Sequence, residues 1–153
     1  MAVHLPVAAL VLVAVCDILA IVLRRPEGMR ESALLLSIVG VLGAIGAVVT
    51  GSSVEANVLQ NPAVSALLER HESLGYATMW VAIGMLVLRL TILFVPKLER
   101  FRNSVIIISV AGALLVSIAG HYGGELVYRY GANTLPVNQA ATNAPTVVDD
   151  DGK

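Results

Sequence analysis

Four stretches of the chain are apolar for long enough to cross a bilayer, and most of the polar residues gather between them. They cover residues 4–23, 33–51, 74–95 and 105–122. A hydrocarbon core of ~30 Å requires about 20 mostly apolar residues per helix, and each stretch meets that length. None alternates with the period of two that a half-buried strand would show. The expected fold is therefore all-α, an integral membrane four-helix bundle. Pro96 is placed to stop the third helix, and Gly123-Gly124 to end the fourth. The first stretch has the length of a signal peptide, but its arginines follow the apolar run instead of preceding it, so it reads as a retained helix.

Composition agrees with a single membrane domain. Of 153 residues 57 % are apolar and 14 % charged, which is too apolar for a soluble domain and too short for a second bundle. The expected division is a transmembrane domain over residues 1–131 and a disordered tail over 132–153. That tail is rich in Asn, Thr, Ala and Pro and closes with Asp149, Asp150 and Asp151. A net charge of −1 without a basic run leaves no footprint for nucleic acid. Cys16 is the only cysteine and reads as a buried small hydrophobe, which excludes an intrachain disulfide.

Sidedness follows from the cations. Arg24, Arg25 and Arg30 lie in the first connection, and Lys97, Arg100 and Arg102 in the third. With an even number of helices both connections fall on one side, the cytoplasmic side by the positive-inside rule. Both termini and residues 52–73 then face outward. Residues 62–72 look helical, with Pro62 at the start, and either extend the third helix outward or lie along the interface.

This topology carries all three histidines, His4, His71 and His121, to the outer boundary. Two imidazole nitrogens on facing helices at matched depth are what a b-type haem requires, and His71 with His121 is the preferred pair, with His4 as the other candidate. The alternative is that all three are amphipathic side chains at an interface. Haem propionates would want a cation or hydroxyl at that level, and Arg70, Arg129, Tyr122 and Tyr128 stand there; the tyrosines equally suit an aromatic belt. Glu69, His71 and Glu72 form an acid–imidazole group that reads mainly as a solvated helix end, with metal ligation as the alternative.

Two ionisable residues fall inside the spans, where facing lipid would be costly. Asp17 and Arg89 reach similar depth in the cytoplasmic half, so a structural ion pair between the first and third helices is expected. A proton path from Asp17 is the functional alternative. Small residues recur at helical spacing: Gly40, Gly43, Gly46 and Gly51 in the second helix, and Ser109, Gly112, Ala113, Ser117 and Gly120 in the fourth. They predict close helix packing, with approach of a flat macrocycle to the backbone as the alternative use. Phosphate loops, zinc-protease helices and serine-hydrolase arrangements are missing from the sequence.

Three motifs carry a family resemblance. They are Val3-His4-Leu5-Pro6 before a helix bearing Asp17, Arg70-His71-x-x-x-Gly75 at the start of the third, and Gly123-Gly124-Glu125-Leu126-Val127-Tyr128-Arg129-Tyr130-Gly131 after the fourth. Over about residues 3–134 the chain resembles the domain of unknown function 2231 family of four-helix membrane proteins. Members often have histidine where this chain has Tyr130, and some are fused to c-type cytochrome modules. The resemblance thus implies electron traffic at the outer side while removing one possible ligand here.

The first expectation for function is a small b-type cytochrome or haem-binding subunit in a bacterial inner membrane. It would bind haem b through His71, His121 or His4 and exchange electrons with a membrane partner or an external cytochrome, as an electron-transfer subunit more than a stand-alone enzyme. The second is a cofactor-free accessory or assembly subunit of a larger membrane complex. A transporter would require a cavity reaching Asp17. Converging histidines favour the first reading; diverging histidines and outward glycines favour the second.

Overall fold

The computed structural model describes residues 3–23, 26–51 and 62–130. The expected tail, Arg24, Arg25, and the outer segment up to Asn61 lie outside the described residues. Four helices follow one another: α1 (His4–Val22), α2 (Pro26–Gly51), α3 (Pro62–Phe94) and α4 (Arg102–Tyr130), the last two joined through a short 3₁₀ turn (Pro96–Phe101). All four are long and apolar enough to cross a membrane. The protein is a multi-pass, all-α membrane bundle, and no strand occurs among the described residues.

α2 and α4 run beyond their expected boundaries, and α3 takes one of the two courses expected for its start. α2 begins at Pro26 instead of residue 33, since Pro26 supplies the preset dihedral of a first helical position and the polar residues 27–32 continue the helix beyond the apolar run. α3 is one uninterrupted helix from Pro62, so residues 62–72 extend it. At 1.5 Å per residue it is roughly 50 Å long, well beyond the hydrocarbon thickness. α4 passes through Gly123-Gly124 and ends at Tyr130. Two glycines cost a helix about 2 kcal/mol against alanine, but neither adopts a positive φ here. Pro96 does end α3, because its ring forbids the preceding residue from remaining helical.

Contacts at matched heights fix the antiparallel order. Gly40 of α2 lies against Leu10 of α1, and Gly43 against Pro6; Gly112 of α4 faces Val81 of α3, and Gly123 faces His71. Each helix packs on the helices before and after it in sequence, and α4 closes the ring on α1. Leu10, Val13, Val41, Ala82, Met85, Val105 and Val116 form the apolar core. Outward faces carry Leu12, Leu35, Leu42, Trp80, Val87, Ile107 and Leu114, all exposed. In water such a surface would drive aggregation, and in a bilayer it is the solvated face. The buried hydroxyls of Ser37 and Thr78 donate to the carbonyls of Ala33 and Leu74 four residues earlier, at 2.6 and 2.7 Å, which satisfies them without water.

The α1–α2 contact depends on Gly40 and Gly43. A Cβ at Gly43 would stand 3.1 Å from Cδ of Pro6 and 3.3 Å from its backbone nitrogen, and neither a proline ring nor the backbone can yield. Nothing lies within 4 Å of a Cβ at Gly46. Gly43→Leu is therefore expected to destabilise the detergent-solubilised protein by about 1–3 kcal/mol, the usual cost of overpacking, whereas Gly46→Leu should leave the thermal midpoint almost unchanged. Equal midpoints for the two variants would refute this account of the contact.

Candidate functional site

The sequence directs attention to both ends of the bundle. At the histidine end, His71 sits on α3 facing α4, half-buried. Its Nδ1 lies 2.9 Å from the carbonyl oxygen of Ala119. A carbonyl only accepts, so Nδ1 carries the proton, and in the neutral ring the lone pair is left on Nε2. The imidazole lies against α4 where Gly123 leaves room: a Cβ there would be 2.8 Å from Cε1 of His71 and 3.2 Å from Nδ1. Gly123, read from sequence as a helix terminator, serves instead to admit this ring. Glycine beside a histidine of a facing helix is a packing signal that emerges only once the register of α3 on α4 is known.

His121 is not brought to His71. It lies two residues past Ala119, about 200° around α4 at 100° per residue, and is exposed, with its ring edge-on to Tyr122 at 5.7 Å. His4 opens α1 on an exposed position. The bundle thus places the three histidines at one end but on different faces. Arg129 pairs with Glu125 one turn earlier on α4 at 2.8 Å, and its guanidinium lies over the ring of Tyr130. Tyr128 is 91 % exposed. Glu69 and Arg70 are exposed beside His71. Among the described residues no three His, Cys, Asp or Glu side chains are gathered as a metal-ligand group. Cys16 is half-buried instead of fully buried, because its position on α1 falls at the edge of the stripe formed by Ala9, Val13 and Asp17.

At the opposite end, Arg89 of α3 donates through Nη2 to Oδ2 of Asp17 on α1, and both side chains are about nine-tenths buried. α1 and α3 are diagonal neighbours in the ring, so two charged side chains bridge helices that pack mainly on others. The Nε of Arg89 is buried with no hydrogen-bond partner. Beneath the pair opens a cavity of about 760 Å³, lined among others by Asp17, Arg30, Arg89, Glu99 and Arg102. Glu99 pairs with Arg102 across the start of α4. The cavity reaches Asp17, but one turn deeper Val13 and Met85 are fully buried in the apolar core. It is therefore a recess at one end of the bundle. Sequence spacing alone did not reveal this recess, since its lining comes from all four helices and the turn.

No curated protein and no solved structure matches the chain. A family described as predicted membrane protein (DUF2231) has a model that covers residues 1–136, from the start of the chain to beyond the last helix. The chain belongs to this family of membrane proteins.

Proposed function

We propose that the protein is a haem-binding membrane subunit in which His71 is the oriented axial ligand, near the outer face of a bacterial inner membrane. The observation that carries this reading is the hydrogen bond from Nδ1 of His71 to the Ala119 carbonyl. A ligating histidine characteristically donates its second nitrogen to a carbonyl or carboxylate, which fixes the tautomer and aims the other nitrogen. The cation distribution supports placing this end outward, as the cation-bearing connections lie at the other end. When bound, haem would supply reversible one-electron chemistry; the protein's part is to hold the imidazole and fix its proton on Nδ1. A single chain offers one such oriented nitrogen. In this reading a second imidazole, if one is needed, would come from an exposed His121 or His4 of a second copy.

The second reading is a cofactor-free accessory subunit. Both marks expected of it from the sequence are present: the histidines diverge, with His121 and His4 exposed on other faces than His71, which counts against a two-histidine site within one chain, and Gly46, Gly75, Gly84 and Gly120 are open positions where a partner helix would approach closely. In that case the His71 bond is a clasp between α3 and α4.

An optical spectrum of the detergent-purified protein, expressed with haem available and then reduced by dithionite, decides between them. Haem binding predicts a reduced α-band that disappears in His71→Ala. Its loss in His121→Ala or His4→Ala identifies the second ligand, and a high-spin spectrum indifferent to both indicates an open sixth position. A featureless spectrum at full protein yield would overturn the haem reading in favour of the accessory subunit.

A further inference from the structure

The recess at the cation-rich end has features that the haem reading does not use. Three guanidinium groups, from Arg30 on α2, Arg89 on α3 and Arg102 at the start of α4, converge on one cavity with only two carboxylates, Asp17 and Glu99. Those carboxylates are engaged with Arg89 and Arg102. Arg30 makes no ion pair among the described residues and leaves one positive charge in excess. Arg89, about nine-tenths buried, keeps its Nε without a partner, an uncompensated donor in an apolar setting. The rest of the lining includes Leu34, Ile92, Leu93 and Ile106.

Depth adds to the argument. Asp17 and Arg89 each lie five residues before the end of their helix, about 7.5 Å at 1.5 Å per residue. Arg102 is the first residue of α4, and Glu99 lies in the 3₁₀ turn before it. The charged lining therefore covers about 7.5 Å of depth from the end of the bundle inward, and the apolar wall lies alongside it. A planar guanidinium offers paired N–H groups that match the oxygens of a phosphate. The cavity volume falls within the range of ordinary small-ligand sites.

We propose that this recess binds the phosphate of an anionic phospholipid from the adjoining leaflet, with Arg30, Arg89 and Arg102 as its partners and the apolar wall receiving the start of an acyl chain. Inorganic phosphate shares the anion but not the chain, so the wall assigns the lipid as the source.

The test is native mass spectrometry of the intact detergent-purified protein with phosphatidylglycerol, phosphatidylcholine or inorganic phosphate added, paired with thermal shift. Phosphatidylglycerol is expected to stay bound and raise the thermal midpoint above phosphatidylcholine. Arg30→Ala, which breaks no ion pair, is expected to weaken that binding roughly tenfold, the effect of losing one charge-assisted hydrogen bond. Arg100→Ala serves as control: this exposed cation stacks over Phe101 outside the recess, and its loss should leave binding intact. Equal losses in the two variants would mean a diffuse surface attraction, and equal retention of the two lipids would mean no phosphate-charge selectivity; either result overturns the site. Stabilisation by inorganic phosphate equal to that by phosphatidylglycerol would overturn the lipid as occupant.

Discussion

Arg89→Ala and Asp17→Ala are each expected to lower the stability of the purified protein by about 3–5 kcal/mol, the cost of leaving one member of a buried pair uncompensated. The two should not be equal. Arg89 lies within about 7.5 Å of its helix end, and its long side chain, freed of Asp17, reaches toward the recess and the surface. Asp17 has no such reach, so Arg89→Ala should be the worse of the two. The double variant Asp17→Leu/Arg89→Met restores an apolar contact of similar volume, and its midpoint is expected to return to that of the native chain or exceed it. Chemical or thermal unfolding of the four proteins in one detergent measures the coupling. Single variants within 0.5 kcal/mol of the native chain, the ordinary range for exposed substitutions, would show that the diagonal bridge contributes nothing.

Gly123→Ala should act on His71 without touching it chemically. The new Cβ would come within 2.8 Å of Cε1, and since the imidazole is the movable partner, the ring swings away from α4 and its bond to Ala119 is lost. The stability cost is modest, about 1 kcal/mol for one hydrogen bond. The functional cost is expected to be large: under the haem reading, haem content should fall nearly to the level of His71→Ala although every histidine remains. Gly124→Ala is the matched control, with nothing within 4 Å of its Cβ. Haem content unchanged in Gly123→Ala would separate His71 orientation from haem binding. Equal loss in Gly124→Ala would point to a general disturbance of α4.

Much of the fold was legible because the bilayer simplifies the reading. A span must be helical to satisfy its backbone, and its length is set by the membrane, so four apolar runs sufficed for four helices. The same reasoning placed Asp17 and Arg89 at a common depth, since rise per residue is fixed along a helix. Helix ends were less legible. α4 continues through Gly123-Gly124 to Tyr130 because glycine is only a permissive stop, and the packing of His71 on Gly123 is a tertiary contact that local propensity does not encode.

The candidate sites divide along the same line. The sequence by itself determined the height of every polar residue in the bundle: three histidines at one end, Asp17 and Arg89 toward the other, and cations in the connections. Height along a helix follows from counting residues. Direction around the helix depends on which neighbour each face meets, and only the tertiary structure decided that. It turned His71 onto α4, left His121 about 200° from Ala119 on the exposed side, joined Asp17 to Arg89 across the diagonal, and gathered Arg30 and Arg102 around the same recess.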